Sequence, residues 1–206
     1  MPNFLLIESS SRNCSVAVCT EDSILSIREE ASDQFVHSEK LHVFIKECIQ
    51  ESGLEYSDLD AVAVSKGPGS YSGLRIGVSA AKGICYPLEI PLIAIDSLTI
   101  LASQLFNQVS GVIVPIMDAR RMEVYEAVFT EKGKQQAPIA AKIVDESSYS
   151  NILEKGKVHF DFGKPLNEEL EILDTAKNSK QQLEFLTKRI VLPSMLFMDL
   201  FVLRMK

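Results

Sequence analysis

The feature that most constrains this sequence is a glycine-rich stretch at residues 66–77, which lies between two apolar segments. Its residues are Lys66-Gly67-Pro68-Gly69-Ser70-Tyr71-Ser72-Gly73-Leu74-Arg75-Ile76-Gly77. The apolar run 61–64 before it is typical of a buried strand, and residues 78–84 after it are typical of a buried helix. Glycine permits positive φ, proline stiffens the turn, and Ser70 or Ser72 can cap the helix. The stretch therefore predicts a tight strand–turn–helix connection.

A turn of this kind can also bind phosphate through the free N–H groups at the start of the helix. However, the residues match neither common phosphate loop. A Walker A loop has Lys and then Ser or Thr directly after its second conserved glycine, whereas Gly73 is followed by Leu74 and Arg75. The dinucleotide motif Gly-x-Gly-x-x-Gly needs a glycine at the position of Ser72. By itself, the stretch favours a tight turn and leaves a ligand site open.

The composition excludes several classes of protein. The chain has 206 residues, which allow one or two domains. Its net charge of −7 argues against a broad positively charged surface that binds nucleic acid. The N-terminus has no signal-peptide pattern, and no apolar run approaches the roughly 18 residues of a membrane span. The four cysteines form no Cys-x-x-Cys pair. We therefore expect a cytoplasmic protein with reduced thiols and no membrane contact.

The hydrophobic pattern predicts two similar halves, each with an apolar strand, a polar turn and an alternating strand. The predicted strands are 4–7, 15–20, 24–28, 59–64, 91–95, 111–117, 122–130 and 137–144, and the predicted helices are 37–51, 78–84, 98–106, 167–173, 181–190 and 195–205. Residues 118–121 are expected to form a turn. The halves, 1–107 and 108–206, indicate a pair of α/β domains with a cleft between them.

Few side chains suggest catalytic chemistry. His37 and His42 are five residues apart and would not share a helix face, so no metal site is predicted. No serine lies in a Gly-x-Ser-x-Gly pattern. Glu8 and Asp118 each follow an apolar strand, where they could hold Mg²⁺ or simply form turns. Three arginines could bind an anion or pair with carboxylates: Arg75, Arg120 and Arg121.

The first two long helices each have an apolar or small face. Leu41, Phe44, Ile45 and Cys48 form one stripe, and the second helix carries small residues at Gly77, Ala80, Ala81 and Gly83. These faces can pack in the core or form a patch for a partner helix.

The glycine-rich stretch resembles the hallmark motif of the TsaB (YeaZ) family, which are bacterial accessory proteins for threonylcarbamoyladenosine modification of tRNA. Three further segments resemble motifs of that family in the same order: His37-Ser38-Glu39-Lys40-Leu41, Ile93-Ala94-Ile95-Asp96-Ser97-Leu98 and Asp118-Ala119-Arg120-Arg121-Met122-Glu123-Val124-Tyr125. The likeness covers Phe4 to about Phe129. The sequence departs from the family at Ser72 and at Glu8-Ser9-Ser10, and the match fades after about Val158.

The resemblance implies an actin-like ATPase (sugar kinase/Hsp70-type) fold of two ribonuclease-H-like halves, which agrees with the repeat. It implies a catalytically inactive subunit that forms a heterodimer with TsaD, the subunit that transfers the threonylcarbamoyl group to the adenosine next to the anticodon of ANN-decoding tRNAs. The resemblance also implies that TsaE joins the larger complex and supplies ATPase function. The implied protein is a homodimer when alone and has no cofactor of its own, with a nucleotide at the complex interface left open. tRNA is reached through the complex, without a strong direct contact.

The resemblance places the pairing surface on the first-half helices, which would be His37 to Ile49 and Ser72 to Tyr86. The interface residues expected from it are His37, Leu41, Phe44, Ile45, Cys48, Leu74, Gly77, Ala81 and Ile84. The glycine-rich loop comprises Gly67, Pro68, Gly69, Ser70, Tyr71, Ser72, Gly73, Arg75 and Gly77, and a second-half turn site comprises Asp118, Arg120 and Arg121. The alternatives are an ATP-dependent phosphotransferase of the same fold and, more weakly, a glycoprotease-like peptidase.

Overall fold

The computed structural model describes residues 1–31, 37–145, 148–149 and 158–161. The elements in chain order are β1 (Phe4–Glu8), β2 (Asn13–Cys19), β3 (Ile24–Ala31), α1 (His37–Ser52), a short 3-10 helix (Tyr56–Asp58), β4 (Ala61–Ser65), α2 (Tyr71–Leu88), β5 (Leu92–Ile95), α3 (Ser97–Ser103), β6 (Val112–Arg120), β7 (Glu123–Thr130), β8 (Gln135–Ile143) and β9 (Val158–Asp161). The predicted helices 167–173, 181–190 and 195–205 lie outside the described residues. The chain divides into two compact units, the first containing Met1–Ser97 and the second beginning at Leu98.

The first unit contains a five-stranded sheet in the order β3-β2-β1-β4-β5. Strand β1 pairs antiparallel with β2 and parallel with β4, and β4 pairs parallel with β5. Parallel neighbours need crossover connections, and α1 and α2 supply them. Strands β1 and β4 are buried along their whole length, which explains their continuous apolar sequences.

The second unit repeats this pattern. Its sheet has the order β8-β7-β6-β9, with β6 antiparallel to β7 and parallel to β9. The meander β6-β7-β8 thus corresponds to β1-β2-β3, and β9 corresponds to β4. The predicted α/β class and the internal repeat are confirmed.

Several element boundaries differ from the predicted ones by a few residues. Helix α2 begins at Tyr71, directly after its predicted cap Ser70, and extends the predicted buried segment 78–84 in both directions. Helix α3 ends at Ser103, short of residue 106. Strand β6 continues to Arg120, so the predicted turn 118–121 shrinks to the two residues that join β6 to β7. In the part of the chain that the structure describes, no helix is long and apolar enough to cross a membrane.

Candidate functional site

The glycine motif forms the connection from β4 to α2, as the sequence predicted. Gly67 and Gly69 have positive φ values of 104° and 156°, which favour glycine. Ser70, not Ser72, is the helix cap: its Oγ accepts a hydrogen bond from Gly73 N at 3.2 Å. The carbonyl of Ser70 accepts another from Leu74 N at 2.8 Å. Two donors at the start of α2 are therefore satisfied within the motif.

The motif packs directly against the turn between β1 and β2. Ser70 N donates to the carbonyl oxygen of Ser10 at 2.6 Å. A Cβ atom on Gly69 would overlap that same carbonyl, and one on Gly73 would overlap the carbonyl oxygen of Ser9. A Cβ on Gly77 would meet Ser9 Oγ. The glycines therefore allow α2 and its leading turn to approach the β1–β2 turn. We call this packing of the glycine motif against the β1–β2 turn the clamp. Its geometry favours a structural role for the motif over phosphate binding.

The carboxyl group of Glu8 lies at the centre of this clamp and is only 2% exposed. Its Oε1 accepts hydrogen bonds from Ser10 N at 2.7 Å, Ser10 Oγ at 2.6 Å and Ser65 Oγ at 3.0 Å. Burial raises the pKa of Glu8, although the hydrogen bonds from Ser10 and Ser65 act in the opposite direction. Glu8 thereby joins the end of β1, the β1–β2 turn and the end of β4.

His37 is buried where α1 begins, and its Nε2 lies 3.3 Å from the carbonyl oxygen of Asn13. Burial lowers the pKa of His37, so the neutral ring is favoured. His42, one turn further along α1, is exposed. The prediction that His37 starts the helix is confirmed, but its assignment to an accessible partner surface is wrong.

The predicted partner interface needs a wider correction. Most of its residues lie in the core of the first unit, where α1 and α2 cover the sheet: Leu41, Phe44, Ile45, Cys48 and Ala81, together with the buried Gly77. Leu74 and Ile84 are partly buried. The physical reason is that an amphipathic helix has one apolar stripe, and here the sheet already covers it. The five core side chains are therefore not exposed to a partner, whereas Leu74 and Ile84 keep part of their surface in solvent.

The opposite face of α2 is exposed and was not predicted as a face, although Tyr71 and Arg75 on it belong to the predicted glycine-rich loop. It presents side chains at helical spacing: Tyr71, Arg75, Ser79, Lys82 and Tyr86. Tyr71 and Tyr86 are 74% and 89% exposed, and the Arg75 guanidinium lies 5.4 Å from the centre of the Tyr71 ring. We call these five residues the α2 outer face. Two tyrosines fifteen residues apart on one helix face were the sequence signal for it.

The predicted second-half turn site forms the hairpin between β6 and β7. Asp118 Oδ1 accepts a hydrogen bond from Arg120 N at 2.7 Å. Arg120, Arg121 and Met122 are exposed and have consecutive positive φ values of 70°, 56° and 64°. The hairpin therefore brings the three predicted residues together at one end of the second sheet.

Comparison with known proteins agrees with this architecture. A family model described as TsaD: tRNA N6-adenosine threonylcarbamoyltransferase matches residues 28–186. The tRNA threonylcarbamoyladenosine biosynthesis protein TsaB of Haemophilus influenzae is 36% identical over 123 residues, which are 59% of this chain and 51% of that protein. TsaB of Bacillus subtilis is 32% identical over 134 residues, 62% of this chain and 55% of that protein.

Among solved structures, YeaZ from Pseudomonas aeruginosa has a TM-score of 0.61 and 25% sequence identity, and the match covers 72% of this chain and 69% of that chain. This likeness confirms the predicted fold class. The chain spans about half the length of the curated relatives it matches. Because the family model matches more than half of the 206 residues, the chain belongs to the family described as TsaD: tRNA N6-adenosine threonylcarbamoyltransferase.

Proposed function

We propose that this chain is a non-catalytic accessory subunit in threonylcarbamoyladenosine modification of tRNA. The observation that carries the proposal is the clamp: the glycine motif of the first unit is filled by the chain's own β1–β2 turn. Ser70 N and Gly73 N both donate within the chain. The tRNA-modification function follows the names of the curated TsaB relatives.

The proposed partner is TsaD, the transferase of this modification. Curated relatives of this chain include the tRNA N6-adenosine threonylcarbamoyltransferase of Bacillus subtilis, which is 42% identical over 59 residues. A relative that shares its ancestry with the transferase is suited to pair with it through a related surface. In this proposal TsaE joins the larger complex, a nucleotide binds at an interface of the complex rather than to this chain, and the protein works in the cytoplasm.

The α2 outer face is the surface that we assign to this pairing, in place of the buried stripe. Exposed aromatic residues are enriched at protein interfaces, and they contribute much of the binding energy when a partner covers them. Tyr86 is 89% exposed, and a Cβ atom on the neighbouring Gly83 would meet nothing within 4 Å. The backbone of a second helix can therefore approach α2 closely beside Tyr86. When the chain is alone, the same face would support a homodimer.

The test is to measure TsaD binding by a Tyr86→Ala variant. We expect the dissociation constant to rise by at least about tenfold, because a buried interface tyrosine often contributes about 2 kcal/mol. Isothermal titration calorimetry with TsaD from the same organism measures the affinity. Size-exclusion chromatography with light scattering measures the mass of the chain alone and of the complex.

The matched control is Tyr56→Ala, because Tyr56 is another exposed tyrosine of the first unit, in the short 3-10 helix. This variant should bind TsaD with wild-type affinity. Equal affinities for all three proteins would show that Tyr86 does not contribute to the interface and would refute its assignment. A wild-type chain that never binds TsaD would refute the accessory function itself.

Two observations weigh against the phosphotransferase alternative. That activity would need Glu8 to hold Mg²⁺, but Oε1 of Glu8 already accepts three hydrogen bonds and its pKa is raised by burial. Metal ligation requires the ionised carboxylate, which burial disfavours. ATP turnover by the purified chain that is lost in Asp118→Ala would restore the alternative.

A further inference from the structure

The hairpin between β6 and β7 has a backbone that its residues do not favour. A two-residue hairpin turn of type I′ has positive φ at both central positions, which Asn and Gly adopt most readily. Here those positions are Arg121 and Met122, and the preceding Arg120 also has positive φ. Three consecutive non-glycine residues in this region are uncommon. Strained conformations of this kind concentrate where side chains serve a function.

The side chains of the hairpin are free to meet a partner. Arg120, Arg121 and Met122 are all exposed, and Met122 is 47% exposed. Within the described ranges, neither arginine forms an ion pair. Glu123 is the cross-strand partner of Arg120 without bridging to it, and Asp118 instead accepts from the Arg120 backbone. Two guanidinium groups without an ion pair among the described residues therefore lie at one end of a sheet, in a chain whose net charge is −7.

We infer that the Arg120–Arg121 hairpin contacts the phosphate backbone of the tRNA bound by the complex. Guanidinium groups bind phosphate oxygens through two parallel hydrogen bonds, and arginine cannot lose its charge. The excess of negative charge excludes a broad nucleic-acid surface, but a local contact of two arginines does not need one. The inference rests on the proposed function, and it replaces the sequence-based expectation that this subunit makes no strong tRNA contact.

The test compares tRNA binding by complexes of TsaD with the wild-type chain and with an Arg120→Gln/Arg121→Gln variant. Each phosphate contact adds about one unit to the slope of log affinity against log salt concentration. We expect the double variant to bind tRNA more weakly and to lower the steepness of that slope by about two. An Arg120→Lys/Arg121→Lys variant keeps the charges and should keep most of the slope.

The matched control is Lys132→Gln/Lys134→Gln. These exposed lysines lie in the turn after β7, at the opposite end of that strand, and their replacement removes the same total charge from the same unit. The control should leave the salt slope unchanged. Thermal unfolding of all variants should match the wild type, because the changed side chains are exposed.

The outcomes separate this inference from the proposed function. If the wild-type complex assembles and modifies tRNA while the arginine variant has an unchanged salt slope, only the inference fails. The inference also fails if the salt slope of the lysine control falls by as much as that of the arginine variant. If the arginine variant weakens TsaD assembly without tRNA, the hairpin contacts the protein partner and the inference is overturned. It is also overturned if the variant weakens ATP binding but not tRNA binding. A wild-type complex that neither assembles nor modifies tRNA overturns both.

Discussion

At the scale of single residues, Glu8 holds the most unusual position. Its carboxyl group is buried among serines: Ser10 in the β1–β2 turn and Ser65 at the end of β4 both donate to it. In the described residues, its Oε2 has no hydrogen-bond partner. An ionised carboxylate is costly in such surroundings, and burial therefore raises the pKa of Glu8.

The pH dependence of stability should report this residue. The folded-state pKa of Glu8 is raised above its ordinary value of 4.5. The folded protein therefore holds a proton that the unfolded chain releases, and stability falls as the pH rises from about 4.5 towards the raised pKa. Glu8→Gln removes this titration. The free energy of unfolding of the variant, minus that of the wild type, should therefore increase by up to about 1.4 kcal/mol per pH unit in that range.

Urea denaturation of both proteins from acidic to neutral pH measures this difference. The other titrating groups are common to both proteins and cancel when the two curves are subtracted. A difference that stays constant with pH would mean that Glu8 ionises normally in the folded protein.

At the scale of elements, each of the two long helices has a covered face and an open one. On α1, Leu41 is fully buried whereas Val43 is 47% exposed. On α2, the small residues Gly73, Gly77 and Ala81 face the interior, and the α2 outer face is open. Glycines on the two faces therefore have opposite effects on stability.

A pair of alanine substitutions in α2 tests this difference. Gly73→Ala should lower the free energy of unfolding by about 1–3 kcal/mol, because its Cβ would overlap the backbone carbonyl of Ser9. Gly83→Ala should raise it by about 0.5–1 kcal/mol, because that position is open and alanine is the better helix former. Denaturant titration of the two variants and the wild type measures both changes. The clamp would be refuted if Gly73→Ala were as stable as Gly83→Ala.

At the scale of the whole molecule, the described parts of the two units share a three-stranded meander and a parallel fourth strand but differ in their chemistry. All four cysteines lie in the first unit, where they are buried and free: Cys14, Cys19, Cys48 and Cys85. Burial raises the pKa of Cys14 and Cys19 to about 12 and also raises the pKa of Cys48 and Cys85. Neutral thiols without solvent access react slowly with alkylating reagents.

Thiol labelling should therefore report the opening of the first unit. At pH 8 we expect the native protein to react with iodoacetamide at least about a hundredfold more slowly than the protein in guanidinium, where all four thiols should react together. Mass spectrometry of intact protein counts the labels over time. Fast labelling of one cysteine in the native state would show that its strand or helix opens locally.

Much of the fold was predictable from local patterns. The glycine motif predicted a strand–turn–helix connection, and Ser70 does cap that helix. The repeat of apolar and alternating strands predicted the two related sheets. The end of β6 could not be predicted as well, because a hairpin with three consecutive positive φ values decides where that strand ends.

The candidate site was less predictable, since it depends on residues that are distant in the sequence. Glu8 was recognised as a residue at a strand end, but its bond to Ser65 joins positions 57 residues apart. The α2 outer face was overlooked because the apolar stripes attracted the interface prediction. Apolar spacing identifies a face that must be covered, and it does not identify what covers it.

The sequence by itself determined the elements, the repeated topology and the family resemblance, because hydrophobic period, glycine positions and caps act through neighbouring residues. Only the tertiary structure decided which faces remain open. The sheet covers Leu41 and Ala81 and leaves Tyr71 and Tyr86 in solvent. Burial depends on long-range packing, and the same apolar stripe can face a sheet of its own chain or a partner.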